Sequence, residues 1–356
     1  LKKYAEFIGV GSYVPEQVLT NQYFVDNCPP LLKCEKGWTD TDGIKKRTGM
    51  ETRHFAFANQ ASSDLMVEAA KNALLDAGLT INDMDLIICS TSFQDNGFNV
   101  PRTSEIFATK IGAKISTLVL EENAACAGFT WALERARIEM LVHEYEHVLV
   151  VSGDKVTAAV NYNDRSSCIL FGDGAGAVIL KRSCEPGIIR TIRENDTTYL
   201  NSIVIPAGGS AKPMTHSLLD NNEQFMAMPG GGDMLKIMGG EILPNVYERM
   251  LETIPNIKYI VPHQANLRII EVAEAKIKRN LAEKGEDFKS IIFKDNIACY
   301  GNTSGSSVPL ALDTLYRQGN LEEGDYILLV GFGAGFLYGA NLLKWTKKKF
   351  YPQGGK

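Results

Sequence analysis

Short, wholly apolar runs alternate along this chain with longer segments whose apolar residues recur at helical spacing. This alternation restricts the fold more than any other feature. The runs in "MDLIICSTS", "STLVLEE", "HVLVVSGD" and "IKYIVPHQA" read as buried strands, and "DYILLVGFGAGF" reads as the final one. Between them, "SSDLMVEAAKNALLDAG" sets Leu65, Ala69 and Ala73, and also Met66, Ala70 and Leu74, at i, i+4 spacing. Ser62 or Ser63 is placed to cap that helix and Gly78 to end it. "PRTSEIFATKIG", "CAGFTWALERARIEMLVH" and "NLRIIEVAEAKIKRNLAEKG" read as helices, as does "SVPLALDTLYRQG" with Pro309 in its first turn. "GGEILPNVYERMLETI" predicts a helix that Pro244 kinks or interrupts. Buried strands joined by helices predict an α/β protein whose helices cover a mixed sheet.

The second half repeats the pattern of the first. A weak echo, Gly172-Asp-Gly174-Ala-Gly176 against Gly331-Phe-Gly333-Ala-Gly335, points to a duplication. We place the boundary near residue 184, with an N-terminal half over 1–184 and a C-terminal half over 185–356. Neither glycine run is a complete GxGxxG opening a helix after a strand, so close backbone packing is the better reading than a dinucleotide site.

Composition excludes several classes. Apolar residues make up 45% and charged residues 22% of 356, with a formal net charge of −5, so nothing global points to nucleic acid or to an anionic membrane. No run approaches the ~18 apolar residues of a membrane span. The N-terminal "LKKYAEFIGVGSYVPE" reads as a strand rather than a signal peptide, and a cytoplasmic location is expected. Seven cysteines, an odd number with no CxxC pair, argue against a disulfide framework and against zinc. Most of them fall in apolar strands, as small core residues.

Cys126, in "ENAACAGFTW", differs from those. It sits where a strand turns into a helix, among small residues that leave room for a substrate. Unpaired N–H groups at a helix start favour a thiolate, and the Cys126 N–H could serve as an oxyanion donor. Taken alone, a buried packing cysteine remains the commoner case. Two further residues shift that balance. His263 stands after a strand and before a helix in "VPHQANLRII", and Asn302 stands in the turn "YGNTSGSS". Cys, His and Asn on three strand-to-helix loops suit nucleophilic catalysis. His54, His143, His147 and His216 read as ordinary histidines.

"AACAGFTWAL", "FGDGAGAVIL", "VPHQANLRII", "GNTSGSSVPLAL" and "GFGAGF" together resemble the β-ketoacyl-acyl-carrier-protein synthase III family of the thiolase superfamily. "GVGSYVPEQVLTN" and "KKRTGMETRHFA" match as well, so the resemblance runs from about residue 7 to 345. It implies a thiolase-like fold of two pseudo-duplicated halves in a five-layered αβαβα arrangement, usually a homodimer. It implies an acyltransferase that starts fatty acid biosynthesis. An acyl group from acyl-CoA is carried on a cysteine and condensed with malonyl-acyl-carrier-protein, with neither metal nor resident cofactor. The catalytic positions of the family fall on Cys126, His263 and Asn302, and the backbone oxyanion donors on Cys126 and Ala334. Arg47 and Arg165 align with arginines that bind CoA phosphates. Arg268 aligns with a carrier-docking arginine, which Lys236, Lys276, Lys278 and Arg279 could extend.

The chain departs from the family pattern in three places. Gly43 stands where relatives commonly carry Trp, with Trp38 nearby in a lengthened segment. Glu121, Glu122 and Asn123 precede the nucleophile motif, and Glu122 could raise the thiol pKa, act as a base or point away. "FQDNGFNVPRTSE" carries an insertion and Glu105, in a region that helps form the acyl pocket of relatives. A specialised secondary-metabolism acyltransferase or condensing enzyme of the same family, using a different donor or acceptor, is the alternative these departures keep open.

Overall fold

In chain order the strands are β1 (Tyr4–Tyr13), β2 (Gln17–Thr20), β3 (Thr52–Phe55), β4 (Leu86–Ser90), β5 (Leu118–Glu122), β6 (His147–Asp154), β7 (Gly174–Ser183), β8 (Ile188–Asn195), β9 (Tyr259–Pro262), β10 (Ile292–Phe293), β11 (Tyr326–Gly333) and β12 (Leu337–Lys344). They come from a computed structural model that describes residues 4–28, 40–254, 256–286 and 290–348. Cys34 and Trp38, and with them most of the lengthened segment before Gly43, lie outside the described residues.

One sheet has the order β1-β7-β6-β4-β5 and a second the order β10-β9-β11-β12-β8, while β2 and β3 pair apart from both. In the first sheet β6, β4 and β5 are parallel, and β7 runs antiparallel to both β6 and β1. In the second, β11, β9 and β10 are parallel, and β12 runs antiparallel to both β11 and β8. Read from β8, the second sheet therefore repeats the first strand for strand. The repeat does not follow the glycine echo. Gly174 and Gly176 open β7, whose counterpart is β12, whereas Gly331 and Gly333 lie in β11, the counterpart of β6.

Both faces of both sheets are covered, which is why their strands read as continuous apolar runs. In β6, Val148 and Val150 enter the central core while Leu149 and Val151 face an outer layer. That outer layer contains helices Ser62–Ala77 and Thr103–Ile111, the latter contributing Phe107. In β11, Ile327 and Leu329 point inward while Leu328 and Val330 face helices Leu243–Leu251 and Leu267–Lys284. Two more helices, Gly128–Val142 and Ser307–Arg317, share the central core between the sheets. The result is a layered αβαβα arrangement, with a central pair of helices between two sheets.

Several local expectations are corrected. Helix Ser62–Ala77 is not capped by its serines: the Asp64 carboxylate accepts the Ala61 N–H at 2.8 Å, and the Ser62 hydroxyl donates to the Phe93 carbonyl at 2.6 Å. Pro244 does interrupt its segment as read: a wide π-helical stretch over Leu235–Ile242 ends there, and the α-helix Leu243–Leu251 starts with Pro244 in its first turn. β12, not β11, is the last strand, and β8 hides behind charged residues that alternate outward.

Gly176 of β7 lets helix Ser307–Arg317 come close, since a Cβ added there would stand 2.7 Å from the Pro309 Cβ. Gly176→Val should therefore cost about 1–3 kcal/mol by overpacking. In urea this would show as a lower midpoint with an unchanged slope.

Candidate active site

Cys126 follows β5 and precedes helix Gly128–Val142. A tight turn carries it: Ala127 and Gly128 donate backbone N–H groups to the Ala124 and Ala125 carbonyls at 3.0 and 2.9 Å. Ala125 is forced to φ +46°, a left-handed conformation that costs a non-glycine residue about 1–3 kcal/mol and is found where surrounding structure imposes it. Gly333 at the end of β11 presses on this turn, and a Cβ there would stand 2.5 Å from the Cys126 nitrogen. Ala334 follows, and the left-handed residues of its turn are Gly335 and Phe336, so an alanine fits at 334 without strain.

The Cys126 thiol is pushed up to about 11, against the expectation from its place at a helix start. Burial is the main cause, and the nearby Asp154 charge adds to it. The Ser304 hydroxyl, 3.5 Å from Sγ, works in the opposite direction.

His263 follows β9, its backbone N–H donating to the Val330 carbonyl of β11 at 2.7 Å. Its ring packs edge-on against Phe332, with centroids 5.1 Å apart. Nδ1 lies 2.7 Å from the Ser307 hydroxyl, which also accepts the Gln264 N–H at 3.1 Å. The Ser307 hydroxyl is placed to donate its hydrogen to Nδ1, the arrangement that goes with a ring proton on Nε2. Burial pushes the His263 pKa down to about 3, so the ring is neutral at physiological pH. Asn302 is buried in a turn whose N–H and C=O bond to Leu170 and Gly172. Its Oδ1 accepts the Ser304 N–H at 2.9 Å, which leaves Nδ2 as the donor.

Cys126, His263, Asn302 and Ala334 line one cavity of about 220 Å³, whose wall is otherwise largely apolar, with Phe93, Val156, Leu170, Met226 and Met234. It adjoins a second cavity of about 620 Å³ that shares Leu170, Met228, Gly231, Asn266 and Ile269 with it and brings Arg47, Arg165 and Arg268 together. Lys236 and Lys276 do not line either cavity. Lys276 lies two turns beyond Arg268 on helix Leu267–Lys284, and Lys236 is exposed on the wide turn. Among the described residues, no group of His, Cys, Asp and Glu is placed to hold a metal ion.

The carboxylates before the nucleophile have other partners. Glu121 bonds the Asn99 side chain and accepts the Ser104 N–H at 2.8 Å, which ties down the loop before helix Thr103–Ile111. Glu122 is half-buried, raised by that burial and opposed by Arg135 and Arg193. The carboxylate that acts on the thiol is Asp154, not Glu122. Glu105 pairs with Arg102 at 2.7 Å on the surface. Sequence reasoning missed Ser304, Ser307 and Asp154. The serines stood in the "GNTSGSS" run beside Asn302, where hydroxyls read as turn formers, and Asp154 ends an apolar strand.

The profile of the family described as 3-oxoacyl-[acyl-carrier-protein (ACP)] synthase III matches residues 120–196, and that of its C-terminal part matches residues 252–345. A β-ketoacyl-[acyl-carrier-protein] synthase III of Campylobacter curvus is 36% identical over 353 residues, 98% of each chain. One of Clostridioides difficile is 35% identical over 346 residues, 96% of this chain and 98% of that one. Among solved structures, the 3-oxoacyl-[acyl-carrier-protein] synthase III of Aquifex aeolicus is similar with a TM-score of 0.79 at 29% identity, covering 96% of this chain and 100% of that one. The priming β-ketosynthase of the R1128 polyketide pathway gives a TM-score of 0.82 at 29% identity, covering 97% of each chain.

His263 makes stability depend on pH in a defined direction. Its folded pKa lies below the unfolded value, so below about pH 6.5 the unfolded chain binds a proton that the folded one refuses. Stability should fall by about 2 kcal/mol as pH drops from roughly 6.5 to 5. His263→Gln should flatten that slope in denaturant titrations.

Proposed function

We propose, for a chain that belongs to the 3-oxoacyl-[acyl-carrier-protein] synthase III family, a decarboxylating condensation that runs through an acyl group held on Cys126. The chain is an acyltransferase of fatty acid biosynthesis, acting at its initiation. The observation that carries the residue roles is the convergence of Cys126, His263 and Asn302, from three separate segments, on one apolar cavity.

The Cys126 sulfur attacks the carbonyl carbon of an acyl thioester, and the CoA sulfur leaves with a proton. Malonyl-acyl-carrier-protein then loses carbon dioxide. The electron pair of the broken bond moves onto the thioester oxygen as an enolate. His263 Nε2–H and Asn302 Nδ2–H stabilise that oxygen, a role that needs a neutral histidine with its proton on Nε2. Burial and the Ser307 hydroxyl favour that state. The enolate carbon attacks the acyl-Cys126 carbonyl. The backbone N–H groups of Cys126 and Ala334 hold the tetrahedral oxyanion, whose collapse returns the sulfur and releases the β-ketoacyl-carrier. The apolar wall shields the acyl-enzyme from water.

Arg47 and Arg165 in the outer cavity bind CoA phosphates, and Arg268 there, with Lys236 and Lys276 beyond it, receives the acidic carrier. Gly43 follows the cap of helix Thr41–Thr48, its N–H donated to Asp40 at 2.6 Å, so this position offers backbone rather than an aromatic surface for adenine. The chain works as a homodimer. β5 is the edge strand of its sheet, and Phe98 and Val100, 70% and 74% exposed, stand in the loop beside it, where a second copy would cover them. The enzyme works in the cytoplasm, alongside its CoA and carrier substrates.

Intact-protein mass after incubation with acyl-CoAs of increasing length tests the reading. A mass gain on Cys126, absent in Cys126→Ser and discharged by malonyl-carrier as a β-keto product, is expected. No adduct from any acyl-CoA or acyl-carrier would sink it. His263→Ala should slow malonyl decarboxylation about 10²–10³-fold. Arg268→Glu should raise the KM for carrier while the rate of Cys126 acylation stays the same.

A further inference from the structure

The cavity beside Cys126 is larger than an acetyl group needs. A cavity of about 150 Å³ lined by Leu, Ile and Phe takes one benzene molecule, six carbons. On that scale the 220 Å³ lined by Cys126 takes about nine non-hydrogen atoms. Two of these are the acyl carbonyl, which leaves room for about seven carbons of chain.

The wall is built for such a chain. Val204 and Ala227 exchange backbone N–H bonds at 3.0 and 2.8 Å, so two short segments run side by side there. Side chains two apart on extended backbone share a face, and both flanking pairs, Ile203 with Ile205 and Met226 with Met228, line the cavity. Met228 also lines the outer cavity and so stands at the mouth, whereas Met226 lines the inner one only. Met226 is buried in a cluster with Val156, against which Phe93 and Ile203 pack, and its N–H is held by the Ala159 carbonyl at 2.8 Å. This cluster closes the cavity on that side. Among the described residues, Ser92 is the one polar side chain on the wall apart from the catalytic groups and the mouth.

We infer that the acyl group carried on Cys126 is an unbranched, unsubstituted chain of about six to eight carbons, with Met226 setting its length. Each methylene that leaves water for this wall improves binding about fourfold, and an acetyl group would leave most of the cavity unfilled. A hydroxyl or carboxylate on the chain would face apolar side chains without a partner. A chain longer than the cavity must either displace the buried cluster or crowd the mouth through which the thioester enters. Methionine is unbranched and adapts its shape, which suits a floor that accepts neighbouring lengths.

This inference rests on Cys126 being the acyl acceptor. The test is a competition. Native protein meets an equimolar mixture of acetyl-, butanoyl-, hexanoyl-, octanoyl-, decanoyl- and dodecanoyl-CoA, and intact-protein mass at short times reports which adducts form. Hexanoyl and octanoyl adducts should prevail, octanoyl over acetyl by at least ~100-fold. Dodecanoyl should fall at least ~10-fold below octanoyl. Prevalence of acetyl or butanoyl would overturn the inference, and so would dodecanoyl reacting as fast as octanoyl. Met226→Ala should move the optimum to decanoyl, and the bulkier, stiffer side chain of Met226→Phe should move it toward butanoyl. An unmoved optimum in either folded variant would overturn the role of Met226, and if Met226→Ala does not fold, Met226→Phe decides. Failure of every donor to acylate native protein would count against Cys126 as acyl acceptor. The cavity is then tested by thermal unfolding with free fatty acids: octanoic acid should raise the Tm where acetic acid does not, and equal shifts would overturn the inference.

Discussion

Phe129, Leu133 and Ala136 of helix Gly128–Val142 share one apolar core with Val308, Leu312 and Leu315 of helix Ser307–Arg317, and both sheets close over that core from opposite sides. The rest of the molecule depends on this packing. It buries the inner faces of both sheets and brings two chain segments far apart in sequence to the same place. Cys126 precedes the first of these helices, and Ser304 to Ser307 lead into the second. The Ser304–Cys126 contact across 178 positions of sequence exists because these two helices begin side by side.

Burial then decides the chemistry. The cavity is apolar enough to raise the Cys126 thiol and to keep His263 neutral. The thiol is held protonated and the imidazole is held neutral, with a single N–H to donate. The same low polarity makes each polar contact count for more. Ser307 on His263, the Ser304 N–H on Asn302 and the Ser304 hydroxyl near Cys126 are short-range bonds that orient the three groups a substrate would meet. Strain is concentrated here, at Ala125 and Ser304, where close packing against Gly333 and the Asp154 network holds the backbone in place.

Much of this was legible in the sequence. The apolar runs marked strands buried on both faces because Val148, Leu149, Val150 and Val151 pack alternately into two cores. Gly78 ended its helix as read, in the left-handed conformation that glycine adopts freely, and Gly285 ends helix Leu267–Lys284 in the same way. β8 was missed because its alternation of Ile with Arg, Thr and Glu belongs to an edge strand with one covered face. The glycine echo misled because glycine marks close approach of backbones, and such approaches occur at unrelated strands: Gly176 against Pro309, Gly333 against Cys126.

By itself the sequence determined the alternation of elements, the motif residues Cys126, His263 and Asn302 and their place on turns between strand and helix. Those are local properties, set by periodicity, turn residues and side-chain chemistry within a few positions. Only the tertiary structure decided that these turns line one cavity, that Asp154 rather than Glu122 acts on the thiol, and that Ser304 and Ser307 hold the sulfur and the imidazole. The reason is physical. Proximity across the central helices and the loss of water around a group arise when separate segments pack together, and no window of sequence contains either.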